Sequence, residues 1–303
     1  MFREREPRNE YHGSIVELTD RCNLRCRHCF FYRNKNESRE LPDEQLLRGL
    51  ETLRDEHNIR SMDWCGGEPL MRREVFETGA ALFEHNVLYT NGTRGIPKIG
   101  NVTVCVSLDG PPELHDYVRG EGCFERIAGH LANARNQMVL ILCTLNTVNA
   151  PHLEEFLQSV EGMEHDGLWL PVFFLIFTPL KRYREVEGYQ HTDEQRDRLA
   201  FTWEERDRLL EDIGRMRRKF PDRILNNELL LELMHSSNAR DCIRRCNRSR
   251  VTLTLDLQLE RKLPCVLGPD VDCERCGCPF PYEREARKRG QRGLTEGLLP
   301  EAP

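Results

Sequence analysis

Thirteen cysteines in 303 residues are not spread evenly: three fall within Cys22–Cys29, six within Cys242–Cys278, and Cys65, Cys105, Cys123 and Cys143 stand alone. Met1–Glu10 is charged and has no apolar stretch, so no secretory signal is visible and a cytoplasmic, reducing location is expected. In such a compartment clustered cysteines read as metal ligands before disulfides. The most apolar run, Leu168–Leu180, is too short to span a bilayer and is broken by Pro171 and Pro179. A net charge of −6 with 31% charged residues describes a solvated surface on which neither sign dominates, giving no push toward nucleic acid or membrane.

Short β-type runs alternate with amphipathic helical stretches over the first two-thirds of the chain. Ser14–Leu18 reads as a strand that runs directly into the first cysteine group. A helix is predicted from about Asp43, with Pro42 at its first turn and Leu46, Leu47, Leu50 and Leu53 on one face. Further strands are predicted at Arg60–Trp64, Val87–Thr90, Val102–Ser107, Met138–Thr144 and Leu168–Phe177, and helices around Phe124–Leu131, Leu153–Val160 and Trp203–Lys219. This alternation implies an α/β fold with a parallel sheet, and six such units suit an open barrel whose chemistry lies at the C-terminal ends of the strands. Lys181–Asp197 reads as a solvated excursion. Val251–Leu255 and Gln258–Leu263 read as a hairpin surrounded by cysteines. The expected division is a barrel over 1–235, a cysteine-rich module over 236–285 and a fraying tail over 286–303.

Cys22, Cys26 and Cys29 form a C-x3-C-x2-C run on one tight loop after a strand. Three thiolates can hold three irons of a [4Fe–4S] cube and leave the fourth without a protein ligand. A structural zinc site is the other reading, but it prefers four ligands in pairs, and His28 would have to be the fourth. The spacing favours the cluster.

In this arrangement, after Val16-Glu17-Leu18-Thr19, the three cysteines resemble the signature of the radical S-adenosylmethionine (radical SAM) superfamily. The resemblance continues in order: Gly66-Gly67-Glu68-Pro69 is similar to its GGEP element, Thr90-Asn91-Gly92 to the polar end of its third strand, Ser107-Leu108-Asp109-Gly110 to its fourth, and His115-Asp116 to Arg119-Gly120 to the segment after it. It covers roughly Ser14–Asn149 well and is looser to about residue 220. It implies a partial (β/α)6 TIM-like barrel. S-adenosylmethionine would chelate the open iron, and one electron would cleave it to methionine and a 5′-deoxyadenosyl radical that takes hydrogen from substrate. Gly66, Gly67 and Pro69 would then lie against the cofactor. Glu68 or nearby carbonyls would accept from its ammonium, Ser107 and Asp109 would meet the ribose, Arg119 a carboxylate, and Thr90 and Asn91 would complete the pocket. Each motif alone has a plainer reading: Asn91-Gly92 and Asp109-Gly110-Pro111 are turn signals, Arg119 a surface ion pair, Cys105 and Cys143 buried small apolar residues.

In the second group Cys246 and Cys265 bracket the predicted hairpin and Cys273 and Cys276 supply a C-x2-C pair, enough for one tetrahedral site of four thiolates. This resembles the twitch or SPASM auxiliary module of radical SAM enzymes and implies a second [4Fe–4S] cluster on Cys246, Cys265, Cys273 and Cys276, with Cys242 and Cys278 as alternates and a zinc knuckle as the other reading. Such a cluster would relay electrons or hold the module together. The expected function is radical chemistry on an unidentified substrate (oxidation or carbon–carbon bond formation on a small molecule, lipid or cofactor precursor), with peptide maturation as the alternative and a flavodoxin- or ferredoxin-like protein as reductant. Tyr32, Tyr117, Cys123 and His165 are candidates to exchange the reacting hydrogen, and Phe30, Phe31 and Tyr32 either line the cofactor pocket or pack in the core. Two other classes remain: a zinc-containing nucleic-acid binder using the basic run Arg284–Arg292, against which the acidic balance argues, and a non-catalytic iron–sulfur carrier, which has no need of Gly66-Gly67-Glu68-Pro69.

Overall fold

The computed structural model describes residues 11, 13–31, 39–165, 167–183, 195 and 197–290. Strand β1 (Gly13–Thr19) is followed by α1 (Asp43–Glu56), β2 (Ser61–Gly66), α2 (Arg73–Ala80), β3 (His85–Thr90), β4 (Val102–Ser107), α3 (Pro112–Arg119), α4 (Cys123–Leu131), β5 (Val139–Leu145), α5 (Leu153–Glu161) and β6 (Val172–Ile176). Then come α6 (Trp203–Lys219), α7 (Glu228–Met234), α8 (Ser236–Arg244), a single helical turn at Arg248–Val251, β7 (Thr252–Leu255) and α9 (Phe280–Lys288). Among the described residues no helix is long and apolar enough to cross a membrane.

The helices form where the sequence gives both a buried stripe and an end signal. In α1, Leu46, Leu50 and Leu53 are buried at one-turn spacing, and Asp43 and Glu44 face the positive end of the helix dipole. In α6 a reciprocal capping box closes the start: the Glu205 N–H donates to the Thr202 hydroxyl at 3.2 Å, and the Thr202 N–H to the Glu205 carboxylate at 2.8 Å. Arg217, Arg218 and Lys219 occupy its last turn, where cations are favoured.

The strands form one sheet in the order β6-β5-β4-β3-β2-β1-β7, each pair parallel. This is the expected α/β open barrel. Alternation along the strands sorts the side chains. Val16, Leu18, Met62, Trp64, Leu88, Val104, Val106, Ile141 and Phe174 face the helices and are almost fully buried. Trp64 meets the edges of Phe76 and Phe83 at 5.5 and 6.2 Å, and its indole N–H donates to Asn86 at 2.8 Å. The alternate positions face a lumen, and several of them (Asp63, Cys65, Tyr89, Ser107, Leu140, Leu142, Thr144, Leu175) are only half-buried.

The C-terminal segment departs from expectation. The predicted hairpin does turn back on itself, with Lys262 donating to the Thr254 carbonyl at 2.8 Å and an antiparallel bridge between Leu255 and Arg261. Its first strand, however, is β7, which pairs in parallel with β1 from Gly13 to Val16 and so belongs to the barrel sheet. From there the chain reaches the opposite edge: Val271 bridges Leu180, the Asp272 N–H donates to the Pro179 carbonyl at 3.0 Å, and the Ile176 N–H to the Gly277 carbonyl at 3.3 Å. The rest of the β6 edge is also covered. Arg223 and Leu225 bond to Val172, and the Asn226 amide makes two bonds to Phe174, at 2.8 and 2.9 Å.

Candidate functional site

The loop that leaves β1 is fixed by its backbone. Gly67 N–H donates to the Thr19 carbonyl and Glu68 N–H to the Arg21 carbonyl, both at 2.8 Å. The two chains approach so closely that a Cβ on Gly67 would lie 2.3 Å from the Arg21 oxygen, and Gly66, at φ +133°, would meet the Thr19 oxygen at 2.5 Å. The paired glycines thus admit the cysteine loop itself. Glu40 accepts from the Thr19 hydroxyl and from the Asp20 N–H, and Arg72 spans from the Leu18 carbonyl (2.8 Å) to the Leu41 carbonyl (3.0 Å) and the Asp43 carboxylate.

Glu68 is buried and its carboxylate is engaged three times: Oε1 accepts from Leu70 N–H at 3.1 Å and Thr90 Oγ1 at 2.8 Å, and Oε2 from Asn91 N–H at 2.7 Å. It ties the end of β2 to the end of β3. Burial pushes its carboxyl upward, and the three donors oppose that shift. Asn91, so placed, directs its amide at Cys22 Sγ (3.8 Å) and Asn23 Oδ1 (3.1 Å), while its oxygen accepts from the Thr93 N–H and hydroxyl at 2.9 and 2.6 Å. Asn23 and Thr93 were not singled out from the sequence; only the folded loop brings them beside Asn91.

At the end of β4, Asp109 is fully buried. Oδ1 accepts from Thr144 N–H at 2.7 Å, while Oδ2 meets Arg119 Nε at 2.5 Å and His28 Nε2 at 3.1 Å. Burial alone would raise this carboxyl, but Arg119 and then His28 outweigh it and hold it well below the usual carboxylate range. The same pairing outweighs the burial of Arg119 and raises its guanidinium. Arg119 Nη1 lies 4.0 Å from Cys26 Sγ, so a positive charge stands beside that sulfur. Ser107 is half-buried at the same strand end. His28 Nδ1 is buried without a hydrogen-bond partner among the described residues. His115 accepts from the Asp109 N–H at 3.0 Å, and burial, with Arg119 next, lowers it to about 4.

The geometry therefore gathers Cys22, Cys26, Cys29, Gly66, Gly67, Glu68, Pro69, Thr90, Asn91, Ser107, Asp109 and Arg119 at the C-terminal ends of four neighbouring strands. Cys123 packs with Leu24 and Cys26 in a small apolar cluster beside them. Tyr117 is exposed under the Arg27 guanidinium, 4.0 Å from its ring centre. His165 precedes β6, at the other end of the strands, and Tyr32 lies outside the described residues.

In the second group, Cys265, Cys273, Cys276 and Cys278 are pushed up first by burial and then by neighbouring thiols of the group, Cys246 among those neighbours. Burial pushes Cys265 up to about 12. Cys242 sits apart, in the apolar core under α8, and feels Glu285 rather than the other thiols. Arg206 fastens this region to the barrel, donating to the Cys276 carbonyl at 2.9 Å and the Tyr282 hydroxyl at 2.7 Å.

Residues 16–160 match the Radical SAM superfamily. That stretch is similar to a radical SAM domain. Its curated relatives include the mycofactocin maturase MftC of Mycolicibacterium smegmatis (32% identical, over 46% of this chain and 39% of that one). They also include the sporulation killing factor maturation protein SkfB of Bacillus subtilis (25%, over 59% and 45%). The chain spans less than half the length of these two relatives. Among solved structures, anSMEcpe with bound AdoMet and the Cp18Cys peptide superposes with a TM-score of 0.60, at 18% identity over 95% of this chain and 82% of that one. Streptococcus suis SuiB bound to precursor peptide SuiA gives 0.59, at 13% identity over 90% and 66%. These likenesses show the fold.

A cubane cluster with an open iron suits the Cys22–Cys29 loop. Three thiols stand on one tied-down segment, with an amide and a guanidinium directed at two of the sulfurs. Burial pushes Cys22 up to about 11 and Cys26 higher still, so near neutral pH both thiols keep their protons unless a bound metal displaces them. Among the described residues no three His, Cys, Asp or Glu side chains converge as they would on a single ion; a cube, whose thiolates stand on separate irons, does not require that convergence.

Proposed function

We propose that this chain is a radical SAM enzyme that holds a [4Fe–4S] cluster on Cys22, Cys26 and Cys29 and acts on a substrate in the barrel lumen. When bound, the cluster and S-adenosylmethionine supply an electron and a 5′-deoxyadenosyl radical able to take hydrogen from an unactivated carbon. The protein's part is to position. Gly66, Gly67 and Glu68 lock the cysteine loop to β2. Asn91 donates to Cys22, and Arg119, held by Asp109, places its charge beside Cys26. The carboxylates of Glu68 and Asp109 are engaged within the protein, so backbone carbonyls near Gly67, the Ser107 hydroxyl and Nη2 of Arg119 are the groups left to meet the cofactor. Pro69 and Thr90 complete that wall. The observation that carries the reading is this interlock: four strand ends, far apart in sequence, meet on one cysteine loop.

The C-terminal thiols support a second cluster, on Cys246, Cys265, Cys276 and either Cys273 or Cys278, which would pass an electron to or from the substrate. A flavodoxin- or ferredoxin-like protein is the proposed reductant. The substrate class is open. Peptide maturation is a second reading, favoured by the peptides bound in anSMEcpe and SuiB and by the maturases among the relatives.

The test is anaerobic reconstitution with iron and sulfide, followed by dithionite and S-adenosylmethionine. About eight irons per chain, with 5′-deoxyadenosine formed by the native protein and not by Cys26→Ala, are expected. A fully loaded, reduced protein that forms none with substrate-like peptides or small acids present would sink the reading.

A further inference from the structure

Most buried charges of this chain have protein partners. Glu17 pairs with Lys262, Asp109 with Arg119, and Arg223 meets Glu164 through bonds of 2.7 and 2.8 Å. Such pairing is the rule, because an unpaired charge away from water is costly.

The lumen breaks the rule. Asp63 points inward from β2, half-buried, and its one side-chain hydrogen bond among the described residues is a long one, from the Tyr89 hydroxyl of β3 at 3.5 Å. Arg248, on the turn before β7, is half-buried and stacks on the Phe280 ring at 4.4 Å. Its guanidinium makes no hydrogen bond or ion pair with any described residue, yet its charge acts on Asp63 and Tyr89, on Cys265 and Cys278, and on Glu283. Burial lifts the Asp63 carboxyl to about 6 although Arg248 opposes it. A carboxylate, a phenol and a guanidinium thus come together on the inward side of the sheet, which also carries the half-buried Leu140, Leu142 and Leu175, and among the described residues most of their bonding capacity is unused.

We propose that Asp63, Tyr89 and Arg248 are the substrate-reading end of the lumen, for a compound that carries a carboxylate beside a hydroxyl or amine. The guanidinium fork of Arg248 takes the carboxylate, and Asp63 accepts from the neighbouring donor. Tyr89, between them, donates to either. A ligand lacking both groups would leave two desolvated charges unpaired, so the same residues that bind the right compound reject an apolar one. The inference rests on the barrel being the reaction chamber, and it sets the acid end of the substrate beside the C-terminal thiols.

The test is saturation-transfer NMR on the reconstituted protein without reductant. Mandelate, a carboxylate beside a hydroxyl, is compared with benzyl alcohol, which has the same ring without the acid. Mandelate should bind the native protein, bind about tenfold or more weakly to Arg248→Gln and several-fold more weakly to Asp63→Asn and Tyr89→Phe, while benzyl alcohol, which has no acid to lose, should bind no more weakly to Arg248→Gln than to the native protein. Circular dichroism identifies any variant that has lost its fold, and the remaining variants then decide. Equal mandelate binding by native and folded variant proteins, or none by the native protein, overturns the proposal. No electron transfer is involved, so failure of the radical reading would show in the 5′-deoxyadenosine assay and not here.

Discussion

In the variant Asp63→Asn the lumen keeps its shape and loses a charge. The native carboxyl stands at about 6, raised first by burial and drawn down by Arg248 and the Tyr89 hydroxyl, whereas an unfolded aspartate titrates near ~3.9. A raised carboxyl binds its proton more tightly in the folded state. Its contribution is therefore most favourable below about pH 4 and is lost as pH rises through about 6. Two pH units correspond to about 3 kcal/mol, and the partial exposure of Asp63 reduces this to about 1–2 kcal/mol. The asparagine variant should thus be more stable than the native protein by about 1–2 kcal/mol at pH 7.5, and the gap should shrink by roughly half at pH 5. Guanidinium unfolding of the two proteins at equal iron content cancels the metal's own contribution. A variant that is equally or less stable at pH 7.5, or a gap that does not narrow at pH 5, would refute burial as the origin of the shift. A gain would show that the fold tolerates an unfavourable charge in the lumen, the pattern expected where binding, and not stability, has kept the residue.

Asp109→Asn leaves Arg119 buried without its counter-charge and should cost about 3–5 kcal/mol in denaturant unfolding, with Asp116→Asn, on a half-buried side chain, as the milder control. Gly67→Ala pushes a methyl into the Arg21 carbonyl and should remove roughly four irons per chain after reconstitution while circular dichroism stays native. Gly277→Ala places its methyl 2.0 Å from the Ile176 oxygen, so hydrogen exchange should quicken over 262–278 and remain slow in β2 to β4.

The barrel was legible because each strand carries its own local pattern: the expected Val102–Ser107 coincides with β4, and Trp203–Lys219 with α6. Leu168–Phe177 shortened to Val172–Ile176, since Pro171 has no N–H to give to a ladder. What local pattern does not hold is which distant segments pair. Thr252–Leu255 reads the same whether it lies in an isolated hairpin or beside β1, and only the β1 edge decides. The motif residues were visible, but their partners were not. Glu68 and Asp109 carry the polar character that suits a ligand, and the structure engages both within the protein, because Asn91, Arg119 and His28 arrive from other loops. The cysteine spacing named six thiols in the second group without ranking Cys242 against Cys278. The ranking comes from helix α8, which buries Cys242 in the core. Asp63, Tyr89 and Arg248 form no motif at all, being separated along the chain and joined only by the inward face of the sheet.

The pairing of β7 with β1 also sets an order of events on the ribosome. The strand that feeds the cysteine loop exposes one edge of N–H and C=O groups until roughly 230 further residues are made, on the order of 10–50 s of synthesis. An open edge of that kind invites pairing with the wrong chain. The nascent barrel is thus open to mispairing over that interval, and the late arrival of Thr252–Leu255 closes the edge.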